Sequence, residues 1–261
     1  MATDIFENTS FGRIHLRQAG NPALPPLLLL HSNGRSAYEF DALAAELTDH
    51  FYVLACDLPG QGDSDPLCRH FSTSDYGRIV VELCEALFTA KPIVAGSSIG
   101  ALLALVTGAE HPGAVAGIVP IELPLSRDTA WWEANWGMVE TMFAYADEPE
   151  DRVRARYREL TPELAARVRI DRHKAGGTTM MDVLWAGRDA ADAIPVQIRT
   201  LQVPALFING DRGVATEASE VLGRLNPAVD LHIVADSGHF PHTDAPKAVA
   251  NAIIAKFARS A

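Results

Sequence analysis

The chain predicts an α/β architecture: a mostly parallel sheet wrapped by helices, with an inserted helical cap. Three observations carry that expectation. Short apolar runs without a polar face alternate with segments of helical periodicity. One alternation, residues 92–110, turns from strand to helix through a serine set between glycines. From Ser126 to Pro195 the strand candidates stop. At 261 residues, 48% hydrophobic and 21% charged, the chain has material for one sizeable core.

Ile5 to Arg17 alternates polar and apolar residues on both sides of Gly12, as an antiparallel hairpin does. A proline-rich turn, Asn21 to Pro26, leads into Leu27–Leu30, a run expected to be buried on both faces. The polar turn His31-Ser32-Asn33-Gly34-Arg35-Ser36 follows. Tyr38 to Thr48 then places Phe40, Leu43, Ala44 and Leu47 on one helical face. Phe51 to Ala55 is the next strand, and the turn Asp57 to Ser64 reads DLPGQGDS. Thr73 to Phe88 is amphipathic. Pro92 to Ala95 is a β-branched strand that ends in Gly96-Ser97-Ser98-Ile99-Gly100, and an apolar helix follows. Val115 to Ile121 is a strand that ends at Glu122.

The cap segment holds three tryptophans in six residues (Trp131, Trp132, Trp136) and an Arg/Glu-rich helical stretch from Asp151 to Arg172. Strand logic resumes at Val203 to Asn209. A helix at Glu217 to Leu225, a strand at Asp230 to Ala235 and a helix near Pro246 to Ala258 complete the chain. The core is therefore expected in residues 1–124 and 196–261, with the cap in 125–195.

The net charge of −11 argues against nucleic acid or an anionic membrane as a main partner. The N-terminus lacks the build of a signal peptide, and no run near it can span a bilayer, so a cytoplasmic location is expected. Cys56, Cys68 and Cys84 have no metal-like spacing and read as buried free thiols. No metal cluster or phosphate fingerprint stands out, so no cofactor is expected. Oligomeric state is not readable.

In a strand–turn–helix context, G-x-S-x-G holds its serine hydroxyl at a helix N-terminus, where developing negative charge is favoured. A serine nucleophile needs a base, and the base an orienting acid. His239 lies in the turn after the last strand candidate. Glu122 ends an apolar run, where a lone carboxylate would be costly to bury without a partner.

The order strand, polar turn, helix, strand, DLPGQGDS, helix, strand, GSSIG resembles the α/β-hydrolase fold over nearly the whole chain outside the cap. That resemblance implies Ser98 as nucleophile, His239 as base, and Asp57 and His31 as scaffolding. In that family the acid usually stands three residues after the glycine that ends the strand before the final helix pair, here Gly210; that position is Gly213, so the acid is absent from its usual place. Asp211 sits too early, Glu217 reads as helix decoration, and Glu122 becomes the candidate acid. The resemblance implies an oxyanion hole of the Ile99 and Asn33 backbone N–H groups. Activity is then expected to fall as His239 protonates, at roughly pH 6.5 shifted upward by Glu122.

A narrower resemblance lies in GSSIGA, ELP and GHFPHTDAP, which look like the zearalenone lactonases. It implies a Ser98–His239–Glu122 triad and Trp185 as a cap contact, and bears on the catalytic layout more than on the substrate. An ester, in particular a lactone, is expected, and the aromatic residues of the cap suggest an apolar or aromatic body. Ser32 and Trp132 are further candidate contacts. A cofactor-independent ring-cleaving dioxygenase of the same fold is the main alternative, although that family typically has a histidine where Ile99 stands. A non-catalytic small-molecule receptor is the other.

Overall fold

The computed structural model describes residues 2–125, 127–215 and 219–258. Eight strands form one sheet in the order β1-β2-β4-β3-β5-β6-β7-β8. The hairpin of β1 (Thr3–Thr9) and β2 (Gly12–Ala19) turns at Gly12, and β2 also runs antiparallel to β4 (Tyr52–Cys56). From β4 onward all pairings are parallel: β3 (Pro26–Leu30), β5 (Ile93–Ser97), β6 (Gly117–Ile121), β7 (Leu206–Gly210) and β8 (Asp230–Val234). Every residue of β3, β5, β6 and β7 is buried, which is why these runs carry no polar face.

Strand period splits β3 between two cores. Leu28 and Leu30 pack with α2 (Thr73–Leu87) and α3 (Ile99–Glu110) on one face. Leu27 and Leu29 pack with α1 (Asp41–Leu47) and the C-terminal helix Pro246–Phe257 on the other. The helix expected from Tyr38 begins as a 3₁₀ turn, Ala37–Phe40, before α1. Ser72 and Asp75 close a capping box on α2, an arrangement that stabilises a helix start by about 1 kcal/mol.

Between β6 and β7 the described residues hold no strand. They form α4 (Thr129–Phe143), α5 (Glu150–Arg154), α6 (Pro162–Asp189) and α7 (Ile194–Thr200). The helical stretch expected from Asp151 to Arg172 is broken, because α6 restarts at a Thr161 cap with Pro162 in its first turn. Gly176, with φ of +68° and ψ of 158°, interrupts α6 again. The expected cap boundary at Pro195 falls inside α7, which packs on α3. Then come α8 (Ser219–Leu225), α9 (Pro241–Asp244) and α10, the helix Pro246–Phe257. Glu217, expected to start the α8 segment, lies outside the described residues.

No described helix is long and apolar enough to cross a membrane. The thiols correct one expectation: Cys56 and Cys84 are buried but Cys68 is exposed, since it sits in the surface loop before α2.

Candidate active site

Ser98 stands between β5 and α3 with φ of 55° and ψ of −111°, a conformation that costs a non-glycine residue on the order of 1–3 kcal/mol. The surroundings hold it there. Its N–H donates to Ile121 O at 2.9 Å, and its carbonyl accepts from Ala101 N at 3.0 Å and Leu102 N at 3.2 Å. Gly96 and Gly100 are steric requirements of this turn. A Cβ at Gly96 would lie 2.1 Å from Gly100 O, and one at Gly100 would lie 2.1 Å from Leu30 O. Ile99 opens α3, so its N–H is a helix-start donor with no intrahelical acceptor.

His239 follows β8 in a turn tied to the cap. Its N–H donates to Arg156 O at 3.0 Å. The Asp244 carboxylate accepts from Gly238 N at 2.8 Å and from Arg158 N at 2.9 Å, joining the turn to the segment after α5. A Cβ at Gly238 would lie 2.5 Å from Arg156 O, so glycine is needed for this close approach.

Glu122 leaves β6 with φ of 57°, and its side chain is completely buried. Three N–H donors compensate the burial. Oε1 accepts from Gly210 N at 2.7 Å; Oε2 accepts from Ala215 N at 3.2 Å and pairs with His239 Nδ1 at 3.2 Å. The same carboxylate explains Gly213. A Cβ there would lie 1.9 Å from Glu122 Oε1 and 2.5 Å from Oε2, and the glycine's own φ is not in the left-handed region. The usual acid station is empty of a side chain because the carboxylate of Glu122 fills that space.

Ser98 and His239 line one cavity of about 240 Å³ between the sheet and the cap, together with Asn33, Ile99 and Trp132. Its remaining wall is mainly aliphatic and aromatic. A slightly larger cavity of about 310 Å³ lies between α5 and α6, but no serine, cysteine or histidine lines it, so size alone does not locate chemistry. The imidazole of His239 keeps 12% of its side-chain surface exposed. Burial holds its proton affinity below the ordinary value of 6.5; Glu122 opposes this, while Arg156 and Arg127 add to it. The upward shift expected from Glu122 is therefore corrected: desolvation outweighs the carboxylate.

Two of the expected substrate contacts do not line this cavity. Ser32 is buried and donates its Oγ to Glu39 Oε2 at 2.5 Å, away from the cavity. Trp185 is 40% exposed, stacks on Trp136 and meets the edge of His70. Trp132 remains in the wall. The scaffolding residues sit as expected. His31 donates Nδ1–H to Ser32 O and accepts from Leu58 N at Nε2; Asp57 accepts from Ala37 N and Asp63 N and pairs with His15. Asp211 is occupied by Asp236 N and Ser237 N. His242, three residues beyond His239, is fully buried against Glu39. Sequence reasoning did not single out Arg127 and Arg156 in the cavity wall. For Arg127, its place in the segment leaving β6 five residues after Glu122 was the available signal.

The profile described as Alpha/beta hydrolase family matches residues 27–252. Among relatives, 2-(acetamidomethylene)succinate hydrolase of Mesorhizobium japonicum is 24% identical over 270 residues, covering 97% of this chain and 96% of its own length. Haloalkane dehalogenase 2 of Mycobacterium tuberculosis is 25% identical, covering 96% of this chain and 93% of its own. The solved enol-lactonase from Burkholderia xenovorans superposes with a TM-score of 0.78 at 19% identity, covering 98% of this chain and all of its own, a likeness of fold.

Proposed function

Because the chain belongs to the alpha/beta hydrolase family, we propose that it is a serine hydrolase of carboxylic esters, lactones in particular, working through Ser98, His239 and Glu122. One observation carries the reading: the strained Ser98 and the Glu122-paired His239 open into the same apolar cavity. In this mechanism His239 takes the Ser98 proton at Nε2 while Oγ attacks the substrate carbonyl. The oxyanion rests on the N–H groups of Ile99 and Asn33, both in the cavity wall. His239 then returns the proton to the leaving alkoxide. In a lactone that alkoxide stays tethered to the acyl-enzyme until water, deprotonated by His239, frees the hydroxy acid.

The role of Glu122 is to hold Nδ1 protonated and to stabilise the imidazolium as it forms. Its backbone donors fix the carboxylate, so the pair needs no reorganisation during the reaction. The apolar wall, with Trp132 in it, favours a substrate with an aliphatic or aromatic body. The resemblance of the ELP and GHFPHTDAP segments to the zearalenone lactonases supports this reading, with the acid Glu122 directly after β6 and His239 after β8.

A fluorophosphonate probe tests the reading. Covalent labelling is expected in the wild type and lost in Ser98→Ala, and turnover of an ester and lactone panel is expected to drop on the order of 10³–10⁴-fold in Glu122→Gln. Oxygen uptake with an unlabelled Ser98 would move the protein to the dioxygenase reading. Ligand binding without labelling or turnover would move it to the receptor reading.

A further inference from the structure

Resting on the hydrolase reading above, we propose that Arg127 and Arg156 form an anion subsite beside Ser98, so that the ester cleaved carries a carboxylate in its acyl part. Both arginines line the cavity that holds Ser98 and His239. Both are short of acceptors. Among the described residues no carboxylate lies within ion-pair distance of Arg127; its contact is the Trp131 ring, 4.6 Å from the guanidinium carbon. Glu122 is already engaged by Gly210, Ala215 and His239.

Arg156 has one carboxylate partner, Glu148, and shares it with Arg172 at 3.3 Å. The Nε of Arg156 is buried without an acceptor. Arg172 directs its other donors to the carbonyls of Met142, Tyr145 and Ala146. One buried acid therefore serves two guanidinium groups, and among the described residues Arg127 has no ion-pair partner, only the more distant charge of Glu122.

The result is a local excess of positive charge at an apolar wall, in a chain whose net charge is −11. Both side chains are half-buried, and positive charge at an apolar wall with too few acceptors is unfavourable, so a bound anion would relieve it. Both cations also act on the imidazole, since each lowers the proton affinity of His239, which places them within electrostatic reach of the reacting centre. An arginine offers paired N–H donors that match a carboxylate, and a substrate anion would complete the pairing that the protein leaves open. Stacking of Arg127 on Trp131 alone would explain its position but would give no preference for charged esters.

The test compares mono-4-nitrophenyl glutarate with 4-nitrophenyl butyrate, esters of similar length that differ in one carboxylate. The wild type is expected to favour the glutarate in kcat/KM. Arg127→Met is expected to lower that preference roughly tenfold to hundredfold, through KM rather than kcat, and Arg127→Lys to recover part of it. Arg156→Met is expected to act in the same direction. An unchanged preference ratio in Arg127→Met overturns the subsite while leaving the hydrolase reading intact. If neither ester is cleaved and Ser98 is not labelled, the hydrolase reading fails instead. Calorimetry of glutarate on Ser98→Ala then still decides: binding that weakens in Ser98→Ala/Arg127→Met supports the subsite, and absence of binding overturns it.

Discussion

His239 and His242 leave the same turn, and each pairs with a buried glutamate, Glu122 at 3.2 Å and Glu39 at 3.0 Å. The two pairs use opposite ring nitrogens. His239 gives Nδ1 to Glu122, which leaves Nε2 free of that bond, and its ring lines the cavity that Ser98 also lines. His242 gives Nε2 to Glu39, and its Nδ1 is buried without a partner. The surroundings differ as well. Glu122 is held by backbone N–H groups, whereas Glu39 also accepts from Ser32 Oγ and stands 3.6 Å from Arg35. His242 lies between the rings of Phe40 and Phe240, with no exposed surface. A carboxylate–imidazole pair is thus no catalytic signature by itself. What separates the two is where the second nitrogen points and whether a nucleophile shares the space.

The sharpest way to break this comparison is to truncate each histidine. His239→Gln is expected to lower kcat on the order of 10⁴–10⁶-fold with the fold intact. His242→Gln is expected to leave turnover per labelled site nearly unchanged and to destabilise the chain by about 1.5–3 kcal/mol, because it removes one partner of the buried Glu39 while Ser32 and Arg35 remain. Burst titration with the fluorophosphonate and thermal melts read both quantities. Equal losses of turnover per site in the two variants would erase the distinction.

The stability of the sealed pair also has a pH window. Interaction with His242, Arg35 and Ser32 outweighs desolvation and lowers the Glu39 carboxyl from 4.5 to about 2. A carboxylate depressed in the folded state contributes fully above its unfolded value and loses that contribution as pH falls. The wild type should therefore lose about 3 kcal/mol between pH 4.5 and pH 2 from this group. Urea midpoints of wild type and Glu39→Gln across that range check it. The variant starts less stable and is expected to show a shallower decline; parallel declines would remove Glu39 as the acid-labile element.

Much of this was readable before any coordinates. The runs of β3, β5 and β6 declare themselves because a strand buried on both faces leaves no polar residue in register. Gly213 in the usual acid position, beside a glutamate at the end of β6, signalled a relocated carboxylate, and the steric overlap of a Cβ at Gly213 with Glu122 is the physical counterpart of that signal. Other features were hidden for identifiable reasons. Trp185 could not be oriented because Gly176 resets the phase of α6, so periodicity counted through the helix loses its meaning. Ser32 is drawn off by Glu39, which comes near it only when the turn before α1 folds back. The direction of the His239 shift depends on desolvation by packed cap and core, a tertiary quantity that no spacing encodes.

That shift gives the smallest effect and the finest test of the open pair. In the proposed mechanism the neutral imidazole is the base, so activity is expected to be lost as His239 takes a proton. Burial stabilises the neutral form more than Glu122 stabilises the cation, which puts the acid limb of kcat/KM below pH 6.5. Replacing Glu122 by glutamine removes the contribution that raises the proton affinity and leaves the burial. The residual activity of Glu122→Gln is therefore expected to fall off at still lower pH, even as its rate drops. Arg127→Met works in the opposite sense: it removes a cation that opposes protonation, so its limb is expected to move up relative to the wild type. A wild-type limb above pH 6.5 would mean that the carboxylate, and not the packing around the ring, governs His239.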